Sequence, residues 1–382
     1  AKILLFASVG SNNVFMPLST KNVGQHPPHS PLLTNAILTW SMNFVAGISP
    51  PILPLEKIYF DNTTHSKGIL SKKSHRNHSL GIPLHPLFIA STQEIIGAWS
   101  ALYTTGVTKK EVIASPFVHY TYDAVFFNGP LFADRSYSTD VTLVGVGAKR
   151  SGGHFLTECS SIDSATGISV CKSWWGGIVL GLQPENGNTH YLENRLAPLR
   201  PSLPPILHPS SSSSTSSASA NIETINMTVP ASQAHVFDAC IRDPRNPKAK
   251  SSDINVHTNV SFAHQAKLQG RTLNGMALLG ISLRYLEIEI EKRQEKKNPI
   301  PSMKMRLSRV GVTFGAPVIL EWETIHLLLD VLNIVINVDG KITIQFQVRT
   351  NDNGKAIKDG FFEWSPIEDL TASEQQQRGS KM

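Results

Sequence analysis
Two titratable side chains stand close together in the run Asp253-Ile-Asn-Val-His257, and a polar loop then leads into Leu273-Asn274-Gly275-Met276 and a stretch of apolar residues. A carboxylate and an imidazole brought to one pocket can divide acid–base work between them, one taking a proton from water and the other delivering one. Glycine at the start of a helix leaves a backbone N–H outside the helical ladder, at the positive end of the dipole. An oxygen gaining negative charge is stabilised there. Asn274 has the side chain of an N-cap, and Leu273, Met276, Ala277, Gly280 and Leu283 keep helical spacing, so a helix is predicted over 273–286. The same pattern also fits a capped core helix after a polar loop, with no chemistry attached. The two readings differ in whether the acid and His257 meet at the helix start.

Such a site needs a sheet behind the helix, and the C-terminal half supplies one. Ile342, Ile344, Phe346 and Val348 alternate with Thr343, Gln345, Gln347 and Arg349, the pattern of a half-buried strand, and Asp339-Gly340 and Asn353-Gly354 read as hairpin turns. The N-terminal half has the same order. Phe88, Ile95, Trp99 and Leu102 share a helical face over 87–103, and strand-like runs follow at 137–147, 155–162 and 168–180. Gly153 to Gly167 and Gly340 to Gly354 have the same spacing, and Trp174 and Phe361 follow at the same distance, as a duplicated strand–turn–strand unit would give. Pro86 removes a donor near the place where the second half has Gly275, so the first half is the less able to bind an oxyanion. His85 reads as a capping or packing residue before a ligand. Trp174-Trp175 and Phe126-Phe127 read as core aromatics, or as the lining of an apolar tunnel.

Prolines 198, 201, 204, 205 and 209 lead into a serine tract that cannot bury a core, which marks 183–220 as a tether. The expected division is thus 1–182, the linker 183–220, a second domain over 221–366 and a flexible tail over 367–382. The first 80 or so residues carry no legible chemistry.

Of the 382 residues, 41% are hydrophobic and 17% charged, a globular composition. No apolar run reaches the roughly 18 residues that span a bilayer. The net charge of +6 comes with basic clusters at 72–76, 242–250 and 292–297, but without a nucleic-acid motif or aromatic interleaving. These clusters read as solvated surface, with the chemistry in a few places to meet carrier phosphates. Cys159, Cys171 and Cys240 are too few and too scattered for a disulfide framework or a zinc site. Ser380-Lys381-Met382 resembles a peroxisomal address, which implies a peroxisome and its import receptor. Against this stand the short apolar start Lys2-Ile-Leu-Leu-Phe-Ala and sequons at Asn62, Asn77, Asn226 and Asn259.

His257-Thr-Asn-Val-Ser-Phe-Ala followed by Gly270 to Gly280 resembles the signature of the MaoC-like, type 2 enoyl-CoA hydratases, over about 140 residues. The resemblance implies an α+β double hot-dog fold, two modules in which a long central helix is wrapped by an antiparallel sheet, the first of them degenerate. It implies a hydro-lyase acting on an acyl-CoA, independent of metal or organic cofactor, with no nucleic-acid or membrane partner, as a monomer or homodimer. His257 takes half of the acid–base pair and the Gly275 N–H the oxyanion. Asp253, Asp243 or neither of them supplies the carboxylate, Asn255 orients the pair, and Asn274 and Met276 meet the substrate. The chain departs from the family pattern at Asn255-Val256, at the spacing of Asp253, and at Asn274 in place of a histidine. Two other readings stay open beside the first: a fold repurposed to cyclise or isomerise a polyketide- or terpene-derived product in secondary metabolism, and a non-catalytic hot-dog partner.

Overall fold
The computed structural model describes residues 32–33, 83–84, 86–87, 117–127, 131–132, 137–180, 183–184, 187, 189–201, 223–231, 233–234, 256–295, 305–320 and 324–366. Asp243, Asp253, Asn255, His85, the helix expected beyond Leu87, the serine tract and the tail with Ser380-Lys381-Met382 lie outside the described residues.

The strands that build the sheet are β1 (Phe117–Phe126), β2 (Tyr137–Lys149), β3 (Gly152–Asp163), β4 (Ser169–Leu180), β5 (His190–Tyr191), β6 (Glu223–Pro230), β7 (Met305–Phe314), β8 (Thr324–Ile336), β9 (Ile342–Thr350) and β10 (Lys355–Pro366). They lie in one antiparallel sheet in the order β2-β3-β4-β1-β7-β10-β9-β8-β6, with Leu32–Leu33 beyond β2 and β5 paired to β2. Read outward from the β1–β7 pair, the two sides have the same succession of strands. β3 and β9, the pair with matching glycine spacing, occupy equivalent places.

Alternation explains the layering. In β9, Ile342, Ile344, Phe346 and Val348 are buried, and the Phe346 ring stacks on Phe362 of β10 at 4.9 Å. The seam between the halves is equally dry: Val310 lies opposite Ala124 and Val312 opposite Tyr122, all four fully buried. The helix α2 (Gly275–Glu295) supplies Met276, Ala277, Leu279, Leu283 and Leu286 to this core. It starts two residues later than expected and runs further. Past Leu286 the Glu- and Lys-rich sequence propagates a helix already nucleated and capped. The turn after β8 has Gly340 at φ 77°, the left-handed region that glycine enters freely. After β9 it is Asn353, at φ 63°, that takes this conformation instead of Gly354.

Part of the expected tether is ordered against the outer face of the sheet. Tyr191 Oη lies 2.7 Å from His154 Nδ1, the Trp174 indole N–H donates to the Arg195 carbonyl at 2.7 Å, and Arg195 reaches buried Glu158 at 2.6 Å. Arg200 then knots three strands. It donates to Asp123 of β1 at 2.9 Å, Asp359 of β10 at 2.7 Å, and the Val312 carbonyl and Thr313 hydroxyl of β7 at 2.8 and 3.0 Å. The described part of this stretch includes a 3-10 turn at Glu193–Arg195, and the side chains of Arg195 and Arg200 find buried acceptors on the sheet.

Burial pushes the Asp123 carboxyl up, and the Arg200 charge opposes that shift. Removing the guanidinium therefore strands a buried acid. Arg200→Ala is expected to destabilise the fold by about 2–3 kcal/mol, at or below the foot of the range of about 3–5 kcal/mol for breaking a buried pair, because the Arg200 side chain is 25% exposed. Adding Asp123→Asn should return part of the loss. Denaturant midpoints of the two variants check this.

Candidate functional site
Of the candidate residues, the described ones, His257, Asn274, Gly275 and Met276, lie at the N-terminus of α2, held there by backbone bonds. The Leu273 N–H donates to the Val318 carbonyl at 2.9 Å, and the Leu320 N–H to the Arg271 carbonyl at 2.7 Å. On the other side, the Thr272 N–H donates to the Val256 carbonyl at 3.2 Å. Residues 256–257 and 271–274 thus lie side by side. The chain after His257 enters a short helix α1 (Val260–Gln265), whose N-cap Asn259 accepts from the Phe262 N–H at 2.9 Å.

This arrangement selects one tautomer of His257. Its Nδ1 lies 2.8 Å from the Thr272 carbonyl, which can only accept, so Nδ1 carries the proton. The Thr272 hydroxyl stands 3.2 Å from the same nitrogen. In the neutral ring Nε2 then carries the lone pair, and it lies 3.4 Å from the Asn274 side-chain nitrogen. The orientation of that amide is itself settled, because Asn274 Oδ1 accepts from the Met276 N–H at 2.7 Å. Asn274 is buried, caps α2 and turns its NH2 group toward His257. A neutral imidazole with its lone pair on Nε2 is the form that takes a proton from water.

Gly275 opens α2, with the first helical bond running from the Leu278 N–H to the Asn274 carbonyl at 2.9 Å. Its N–H belongs to the first turn, outside the helical ladder. Met276 packs in the core, its backbone N–H on the Asn274 cap. The space around Gly275 is tight: a β-carbon there would stand 3.2 Å from Phe314 and 3.2 Å from Nδ1 of His119.

His119 comes from β1, in the other half of the chain. Its ring stacks on Trp175 at 4.8 Å and lies 4.5 Å from the Phe314 ring. Burial pushes its imidazole down to about 3, with a hydrogen bond to the Thr121 backbone opposing, so it is neutral at ordinary pH. Some of the residue reaches the surface, but both ring nitrogens, where the charge would sit, are buried. The Trp174-Trp175 pair divides across the sheet: Trp175 faces His119 and the core, while Trp174 meets the outer strap.

Sequence reasoning brought out His257, Asn274 and Gly275, and the structure places them together. It missed His119, Thr272 and Phe314. A strand signal was available in Phe117-Val-His-Tyr-Thr-Tyr, but it does not show where the histidine points. Among the described residues no three His, Cys, Asp or Glu side chains converge as a metal-ligand set, and no helix is long and apolar enough to cross a membrane.

A continuous antiparallel sheet with a long helix in the second half's core is the hot-dog architecture. Among solved structures the chain resembles a MaoC-like dehydratase from Phytophthora capsici, with TM-score 0.53 and 13% identity over 91% of this chain and 97% of that one. A second MaoC-like dehydratase gives TM-score 0.56 at 11% identity, over 91% of this chain and 99% of the other. The peroxisomal multifunctional enzyme type 2 of Drosophila melanogaster gives 0.52 at 16% identity, over 88% of this chain but 48% of that enzyme. No family model matches the sequence, and no curated protein matches it. The likeness is one of fold: that of the MaoC-like dehydratases.

Proposed function
We propose that the chain is a hydro-lyase of the double hot-dog type, adding water to a 2-enoyl thioester or removing it from a 3-hydroxyacyl thioester. The observation that carries this reading is the His257 imidazole, held through Nδ1 on the Thr272 carbonyl beside the start of α2. In the hydration direction the oxygen of water bonds to the β-carbon, and its proton passes to Nε2 of His257. The electron pair of the double bond moves onto the thioester oxygen, where the Gly275 N–H and the positive helix end hold the charge. The α-carbon then takes a proton from the protonated carboxyl of the partner acid, Asp253 or Asp243, the thioester carbonyl is restored, and the proton on Nε2 passes back to that carboxylate to complete the cycle. No bond order requires an oxidant or reductant, so the residues of the chain and water suffice. An acyl-CoA is the substrate class this reading assigns; the dehydratase named among the structures that share the fold supports the reaction type.

The direct test follows the enoyl-thioester absorbance of a crotonyl- to decenoyl-CoA series, with oxygen-18 water to label the β-hydroxyl. Absorbance loss with label at the β-carbon is the expected result. A folded protein that leaves every chain length unchanged would overturn the reading and favour the repurposed cyclase.

A further inference from the structure
We propose that Thr272 is a positioning residue for His257: its carbonyl and its hydroxyl together hold the Nδ1–H of the ring, and so fix Nε2 while it takes up the proton of water. The inference rests on the hydro-lyase reading and adds to it a residue that the helix-opening run from Leu273 does not contain.

Three observations lead there. First, Thr272 is tied down on both sides. It bridges Ile319 in an antiparallel contact, flanked by the bond from the Leu273 N–H to the Val318 carbonyl at 2.9 Å and that from the Leu320 N–H to the Arg271 carbonyl at 2.7 Å. Its own N–H runs to the Val256 carbonyl at 3.2 Å, one residue before the histidine. Second, two of its oxygens stand at one nitrogen: Nδ1 of His257 lies 2.8 Å from the carbonyl and 3.2 Å from the hydroxyl. The carbonyl can only accept, so Nδ1 is the donor and the hydroxyl serves as its second acceptor. Third, that hydroxyl is buried for the sake of the ring. Thr272 is 5% exposed, and among the described residues its hydroxyl hydrogen-bonds only with His257. Valine would fill the same place without burying a polar atom.

The spacing of the segment completes the clamp. Thr272 and Asn274 are two residues apart where the chain enters α2, while Leu273 between them belongs to the core. Thr272 meets Nδ1, and the Asn274 side-chain nitrogen lies 3.4 Å from Nε2, so one short stretch of chain holds the ring from both ends. When Nε2 takes a proton the ring becomes an imidazolium, and a hydrogen bond from a charged donor is stronger than one from a neutral donor. The second acceptor therefore contributes most as the proton of water leaves, and little when the thioester binds.

The experiment uses the full chain and whichever enoyl-CoA of the crotonyl-to-decenoyl series wild type turns over fastest. Thr272→Val keeps the volume and removes the hydroxyl. Thr272→Ser keeps the hydroxyl and removes the methyl group, so packing and hydrogen bond are lost in different variants. The expected result is a fall in kcat of about 3- to 10-fold in Thr272→Val, the size of one hydrogen bond. KM should change by less than about twofold, as for an interaction made in the transition state. Thr272→Ser should keep most of kcat. The acid limb of the kcat profile should move to lower pH in Thr272→Val and not in Thr272→Ser, because the imidazolium has lost an acceptor. An active wild type with Thr272→Val equal to it in rate and profile would overturn the inference alone. So would a loss confined to KM, or a loss in Thr272→Ser as large as in Thr272→Val, because packing would then explain it. A wild type inactive at every chain length would overturn the hydro-lyase reading, and this inference with it.

Discussion

His257→Ala is expected to lower kcat/KM for a 2-enoyl-CoA by about a thousandfold, within the range of about 10²–10⁴ that a positioned general base contributes. The loss should fall on kcat, because Nε2 is needed when the water proton leaves and not when the thioester binds. The fold should survive. His257 is half-buried and its bonds to Thr272 add to backbone pairings at 256 and 318–320 that remain in place. Asn274→Asp separates the tautomer from mere occupancy. A carboxylate facing Nε2 in place of an NH2 donor demands a proton on that nitrogen, which turns the base into an imidazolium. That variant should also lose activity at neutral pH while keeping its helix cap, since Asp caps as well as Asn. Stopped-flow absorbance of the enoyl thioester reads both variants. Near wild-type turnover in His257→Ala would remove His257 from the reaction.

Acid should unfold the chain through two histidines far apart in sequence. Burial holds the His119 imidazole down to about 3. Burial, with the Lys149 charge adding to it, holds that of His154 down to about 4. Both lie well below the ordinary 6.5. The unfolded chain therefore takes up protons below pH 6.5 that the folded chain refuses. The stability from keeping these rings neutral is complete above that pH and falls as the pH drops toward 4 and then 3. The slope reaches about 1.4 kcal/mol per pH unit for each histidine, so several kcal/mol are at stake across the window. Asp123 acts the other way, since a carboxyl raised by burial favours the fold at low pH, but its window opens only around the carboxylate range. Denaturant unfolding at pH 7, 6 and 5 measures the slope. His154→Gln and His119→Asn should each remove about half of it. A flat profile in wild type would show that both rings take up protons without loss of the fold.

Much of this site was legible along the chain because its parts are local. An N-cap must precede its helix by one residue, and period-two alternation marks a half-buried strand wherever it ends up in the sheet. His257, Asn274 and Gly275 could therefore be read as a group, and so could the repeated glycine spacing that places β3 and β9 at equivalent positions. The tautomer of His257 could not. It depends on a carbonyl at Thr272 that is brought alongside His257 by the bond from the Thr272 N–H to the Val256 carbonyl, and no spacing records that contact. The ordered strap was hidden for a similar reason: proline content told of an extended chain, while the acceptors for Arg195 and Arg200 lie on strands remote in sequence. His119 is the clearest case. A bulge in β1 decides its face, the seam between β1 and β7 decides its neighbours, and the absence of a side chain at Gly275 decides how near it comes. Local residue types determined the helix and the strands; only packing between the halves determined which side chains stand at the helix's start.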